Sequence, residues 1–130
     1  MSDPLDLGGR VAVVTGASRG IGAAIARVLA SHGANLIISG FQNSDRLTSF
    51  AAELAAEHGV SVEVHTGHIA EPSTSSALAK IAFSKYRRLD IWVNNAGILK
   101  DGLIGMVPDA DINETLGVNL AGVLHGTQAA

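Results

Sequence analysis

A glycine-punctuated turn, Thr15-Gly16-Ala17-Ser18-Arg19-Gly20-Ile21-Gly22, joins a short apolar run to a segment of helical periodicity, and no other stretch narrows the possible folds as much. Val11-Ala12-Val13-Val14-Thr15, bounded by Gly8-Gly9 and Gly16, predicts a strand buried on both faces. From Gly20 the period changes: Ile21, Ala24, Ile25, Val28 and Leu29 share one face of a helix that stops at Gly33. At such a junction Gly16 permits a tight turn, Gly20 lets a ligand approach the main chain, and Gly22 lets the helix pack closely on the strand. The first-turn amides of the helix lack intrahelical partners and sit at the positive end of its dipole, and a pyrophosphate satisfies both. No Gly-Lys-Ser/Thr follows, which disfavours a phosphate-loop NTPase.

The rest of the chain repeats the alternation. Asn35–Ser39 reads as a second strand, Leu47, Phe50, Ala51, Leu54 and Ala55 as a second helix ending at Gly59, and Val60–Val64 as a third strand. Pro72 opens a third helix carrying Leu78, Ile81 and Ala82, and Leu89–Val93 is the fourth strand. Beyond the glycine-rich stretch 97–105 and Pro108, one continuous helix is expected from Asp111 to the end of the sequence. Strands alternating with helices predict an α/β fold: a doubly wound parallel sheet of Rossmann type, strand order 3-2-1-4, with helices on both faces. Residues 1–130 then read as one compact unit, with no internal repeat or linker.

Composition removes several classes of function. A chain that is 47% hydrophobic and only 16% charged has too much apolar surface for a disordered segment. No apolar run is long enough to span a bilayer, and the first residues show no basic stretch followed by an apolar core, so neither membrane insertion nor a signal peptide is expected. With no cysteine there is no disulfide framework or thiolate metal site, and the five histidines are dispersed, so no metal is expected. A net charge of −3 offers no footprint for nucleic acid. The expected setting is cytoplasmic.

Three motifs in order, Thr15–Gly22, Asn94-Asn95-Ala96-Gly97 and Val118-Asn119-Leu120-Ala121-Gly122, resemble the short-chain dehydrogenase/reductase family. A looser likeness to its D-3-hydroxybutyrate dehydrogenase branch rests on Ser39-Gly40-Phe41, Ala52–Val60 and His125-Gly126-Thr127. The resemblance implies a nicotinamide dinucleotide and hydride transfer to or from a small alcohol or carbonyl substrate, in a full-length form that is a homo-oligomer, and it makes residues 1–130 the dinucleotide-binding half of a single Rossmann domain that lacks its C-terminal strands. Cofactor-binding roles fall on Gly16, Ser18, Arg19, Gly20, Ile21, Gly22, Phe41, His68, Asn94, Ala96 and Gly97, and the catalytic candidate is Asn119, as part of a proton relay.

The end of the second strand, Ser39-Gly40-Phe41-Gln42, carries no carboxylate to accept from a ribose 2′-hydroxyl, and Arg19 suits a 2′-phosphate; NADP(H) is therefore preferred over NAD(H), which stays possible. Where relatives carry an adenine-contacting Asp, this chain has His68, which can still make one hydrogen bond. Asn119 falls on the apolar face of the last helix with Ile112, Leu116, Leu120 and Val123, where a buried amide needs partners. The family's acid/base pair, Tyr-x-x-x-Lys, is absent: Tyr86 is followed four residues on by Asp90. These 130 residues alone are expected to be inactive, and a non-catalytic nucleotide-binding module is the alternative.

Overall fold

Short β-branched and aliphatic runs, together with one stretch (Val62–Thr66) that alternates apolar and polar residues, assemble here into one four-stranded parallel sheet. The computed structural model describes residues 3–42 and 45–130. The strands are β1 (Val11–Val14), β2 (Asn35–Gly40), β3 (Val62–Thr66) and β4 (Ile91–Val93), in the order β3-β2-β1-β4. The helices are α1 (Gly20–Ser31), α2 (Asp45–His58), α3 (Pro72–Tyr86), α4 (Asp109–Leu116) and α5 (Gly122–Ala129), with a π-helical segment, Gly117–Ala121, between the last two. At the central rung Val13 pairs with Ile37 on one side and Trp92 on the other.

The pleat of β1 and β2 splits the core. Ala12, Val14, Leu36 and Ile38 face α1 and α2, where they meet Ala26, Ala30, Leu47 and Leu54; Val11, Val13 and Ile37 face α3, against Leu78 and Ala82. Glycines with positive φ close α1 at Gly33 (95°) and α2 at Gly59 (67°), a conformation that a side chain disfavours.

Four local expectations need correction. The buried face of α1 is Gly22, Ala26 and Ala30, whereas Ile21 and Val28 are exposed: small residues at i, i+4 and i+8 bring the helix close to the sheet and leave bulkier neighbours at the flanks. β3 lies two residues later than the apolar run suggests, because its register follows β2 as far as Gly40, which pairs with Thr66. β4 is shorter than Leu89–Val93, because the Asp90 carboxylate, rather than a carbonyl, accepts the Val11 N–H at 2.9 Å. That carboxylate also takes two hydrogen bonds from Arg88, at 2.7 and 2.8 Å, and one from Arg10 at 3.4 Å. Arg88 first, and then the Val11 amide, hold the Asp90 carboxyl well below the usual carboxylate range.

The fourth correction concerns the last helix, which is not continuous: the π segment inserts a wider turn around Val118 and Asn119. Glycines seat this helix against the sheet. A Cβ on Gly122 would come within 3.0 Å of the Ile69 side chain, and one on Gly126 within 2.6 Å of Trp92. The outer face, Ile112, Leu116, Leu120 and Leu124, is exposed.

Candidate functional site

The chain steps outward from β1 to β2 and β3, then crosses back to place β4 on the other side of β1. Strand order reverses at that point, and the loops leaving β1 and β4 diverge and open a crevice at the carboxyl ends of the strands. A crevice of about 490 Å³ lies there, lined by Gly16, Ser18, Arg19, Gly20 and Ile21 from the first turn, Phe41 and His68 from the loops after β2 and β3, and Ala96 and Gly97 after β4.

The turn is held by interactions that the glycines make possible. Gly16 has φ +63°, and a Cβ there would lie 2.8 Å from the Ala96 Cα. Gly22 is more constrained: its Cβ would meet the Gly16 carbonyl oxygen at 2.2 Å and the Asn95 Nδ2 at 2.4 Å. Gly22 does not line the crevice; it packs against the Gly16 carbonyl and the Asn95 side chain. Gly20 has φ +59° with nothing within 4 Å of a built Cβ, so the space before the helix is open. Arg19, the N-cap of α1, makes no side-chain cap, and Ala23 donates the first helical bond, to the Arg19 carbonyl. The amides of Gly20, Ile21 and Gly22 precede that bond and have no intrahelical carbonyl to meet.

Two residues outside the expected set tie the two loops together. The Thr15 hydroxyl, buried at the end of β1, accepts from the Asn95 and Ala96 amides at 3.1 Å each and donates to the Val93 carbonyl at 3.3 Å. Asn95 Nδ2 donates to the Gly16 carbonyl at 3.0 Å. A polar residue ending an otherwise apolar strand was the available signal for Thr15; for Asn95 it was the Asn94-Asn95-Ala96-Gly97 motif at the end of the strand expected beside β1, with the tie made by Asn95.

The other expected residues separate. The Asn94 side chain lies outside the crevice: its Oδ1 accepts from Trp92 Nε1 at 2.8 Å and its Nδ2 donates to Thr127 Oγ1 at 3.2 Å, because strand alternation sends Trp92 and Asn94 to the same side. Asn119 is exposed rather than buried. Its Oδ1 accepts from the Ile98 amide and its Nδ2 donates to the Ile98 carbonyl, both at 2.8 Å, so the π segment clamps the loop after β4. Val118 and Glu114 reach the crevice instead, and Glu114 pairs with Lys100 at 3.6 Å. The Tyr86 hydroxyl bonds Ser61 Oγ at 2.7 Å beside the start of β3, at the opposite end of the sheet.

Beside the crevice a smaller cleft is lined by Arg19, Arg27 and Arg46. Arg27 is paired with Glu53 and Glu57, whereas Arg19 and Arg46 have no carboxylate partner among the described residues. Arg46, in the first turn of α2, was missed because the residues after β2 carry no recognisable spacing. Among the described residues no three His, Asp or Glu side chains gather into a metal-binding group, and no helix is long and apolar enough to cross a membrane.

A family model described as short chain dehydrogenase matches residues 10–130. The chain belongs to the short-chain dehydrogenase family. Among curated relatives, Nodulation protein G of Rhizobium sp. (strain N33) is 42% identical over 123 residues, covering 95% of this chain and 48% of that protein. D-beta-hydroxybutyrate dehydrogenase of Cupriavidus necator is 34% identical over 124 residues, covering 95% and 47%. The chain therefore spans about half the length of the curated relatives it matches. A solved structure of a blue fluorescent protein from a metagenomic library, in complex with NADPH, is 35% identical, superposes with a TM-score of 0.90, and is matched over 96% of this chain and 51% of its own. The hydroxybutyrate dehydrogenase is a relative, but at lower identity than the nodulation protein.

Proposed function

We propose that this chain is the cofactor-binding half of a cytoplasmic oxidoreductase that uses NADP(H) to interconvert a small alcohol and its carbonyl compound. The observation that carries the reading is the opening of α1: amides without helical partners, behind a positive-φ Gly20 with free space before it, at the switch point of a parallel sheet. A diphosphate fits this corner, since it takes hydrogen bonds from main-chain donors and needs no side chain where Gly20 leaves none. When bound, the cofactor supplies or accepts hydride at its nicotinamide C4.

The chain's own residues divide the remaining work. The Gly20, Ile21 and Gly22 amides and the Ser18 hydroxyl hold the diphosphate, and Phe41 and His68 receive the adenine end. Ala96 and Gly97 leave room toward the nicotinamide. Asn119 acts as a positioning residue through Ile98, since both ends of its side chain are engaged there. Preference for NADP(H) is supported by Arg19 and Arg46, which face one cleft without carboxylate partners among the described residues, and by the absence of an acid at residues 39–42.

The test is an equilibrium titration of the protein with NADPH and NADH, read by nicotinamide fluorescence. Each charge-assisted hydrogen bond to a phosphate contributes about 1.5–3 kcal/mol, so NADPH binds roughly tenfold to a hundredfold more tightly than NADH. Arg19→Ala with Arg46→Ala removes that preference and leaves NADH binding in place. Equal affinities in the unaltered protein would refute the NADP(H) assignment, and failure of both cofactors would refute the site. These 130 residues carry no Tyr-x-x-x-Lys, so they are expected to bind cofactor without consuming NADPH when small ketones are added.

A further inference from the structure

The loop after β4 holds an aspartate followed directly by a glycine, Asp101-Gly102, and its surroundings set it apart from the other aspartates of the chain. Residues 99–106 are exposed, and 99–103 belong to no helix, strand or turn. Asp45, Asp109 and Asp111 lie in the first turns of helices, which fix the peptide that follows them. Asp3 and Asp6 accept from the Leu5 and Gly8 amides, and Asp90 is held by Arg88 and the Val11 amide. By contrast, the Asp101 carboxylate and the Gly102 amide have no hydrogen bond or ion pair among the described residues. Gly102 also has no Cβ to crowd an approach to its nitrogen, and glycine has the widest backbone freedom of any residue. Asn119 pins Ile98 at one end of the loop and α4 begins at the other, so local motion concentrates between them.

We infer that Asp101-Gly102 is a site of spontaneous isoaspartate formation in the folded protein, and thereby a substrate for carboxyl methyltransferases that recognise isoaspartate. The Gly102 nitrogen attacks Cγ of the protonated Asp101 carboxyl and forms a new C–N bond. The Cγ–OH bond breaks, and the hydroxyl leaves as water with the amide proton, closing a five-membered succinimide. Water then opens the ring. Cleavage of the new bond restores aspartate, whereas cleavage at the α-carbonyl leaves the main chain running through Cβ and Cγ with a free α-carboxylate. No oxidant or reductant enters, and the net composition is unchanged. A methyltransferase then transfers the methyl group of S-adenosylmethionine to that α-carboxylate, giving a methyl ester and S-adenosylhomocysteine. The loop keeps its charge, but its main chain gains one carbon beside Lys100, whose ammonium pairs with Glu114 at the edge of the crevice.

The test ages the protein in mildly acid buffer, folded and in urea, and then labels it with an isoaspartate carboxyl methyltransferase and isotopic S-adenosylmethionine. Peptide fragmentation locates the label. In the folded protein the label falls on residue 101, at a rate comparable to that in urea, because nothing in the fold holds the two atoms apart. Asp101→Glu, which would need a six-membered ring, loses the label at that position. Gly102→Ala slows its appearance roughly tenfold, equivalent to about 1.4 kcal/mol in the barrier. The added methyl group meets only the end of the Val107 side chain, at 3.2 Å, which has room to turn. The inference is overturned if residue 101 is labelled only in urea, if another aspartate is labelled faster in the folded protein, or if Gly102→Ala leaves the rate unchanged. Should a variant fail to fold, the folded and urea samples of the unaltered protein still decide. None of these outcomes depends on dinucleotide binding.

Discussion

The glycines of the first turn are not equivalent, and substitution separates their roles. Alanine at Gly22 drives its Cβ to 2.2 Å from a backbone oxygen that cannot retreat without moving β1's last residues. Overpacking of this kind costs about 1–3 kcal/mol, so Gly22→Ala lowers the urea midpoint by that equivalent and also weakens NADPH binding by displacing Asn95. Gly20→Ala meets no neighbour and bears only the left-handed backbone cost of roughly 1–2 kcal/mol, with the new methyl group pointing into open space. Urea melts of both variants check the difference: Gly22→Ala should lose more stability than Gly20→Ala, and an equal loss in the two would contradict the packing role. At this scale the glycine spacing was readable because backbone conformation is local. The role of Thr15 was not, since its partners lie about eighty residues away across the β1–β4 pairing, and for Asn95 the motif was readable but its partner, equally distant in the chain, was not. Asn94 misled for the related reason that adjacent strand residues face opposite ways.

Elements were legible in kind and less so at their ends. Apolar runs and helical spacing identified all four strands and the first three helices, yet β4 stops where Asp90 replaces a ladder carbonyl, and the last helix widens at Gly117–Ala121. Periodicity carries no sign of the π segment, which arises where Asn119 bonds Ile98 in another element. Asp90 gives this scale its prediction. Its carboxyl is held below the usual range by Arg88 and then by the Val11 amide, so the folded state binds its proton less readily than the unfolded chain does. The contribution is therefore complete above the unfolded carboxylate's pKa of about 3.9 and is lost as pH falls below it. Asp90→Asn lowers the melting temperature at neutral pH and flattens its fall between about pH 5 and pH 2. Parallel acid-side melting curves for the two proteins would show that the Asp90 cluster does not clamp β1 to β4.

At the scale of the whole molecule, the order β3-β2-β1-β4 followed from strand–helix alternation and right-handed crossovers, because few topologies obey both. The exposed apolar surface is a property of this scale too. Ile112, Leu116, Leu120 and Leu124 line one helical face, and Ile104, 99% exposed, stands with Leu103 and Met106 in the loop before it. An apolar surface this extensive favours association. Sedimentation velocity of the chain should show a concentration-dependent rise in mass that Leu116→Lys with Leu120→Lys reduces; a monomer at all concentrations would contradict it.

The account turns on main-chain amides at the start of α1 meeting a diphosphate, and amide NMR of this 13.3 kDa chain observes those atoms directly. Titration with NADP⁺ should shift the Gly20, Ile21 and Gly22 amide resonances most, with smaller changes at Ala96 and Gly97 and none near Tyr86 at the far end of the sheet. Unmoved resonances at Gly20–Gly22 under saturating nucleotide would contradict the account.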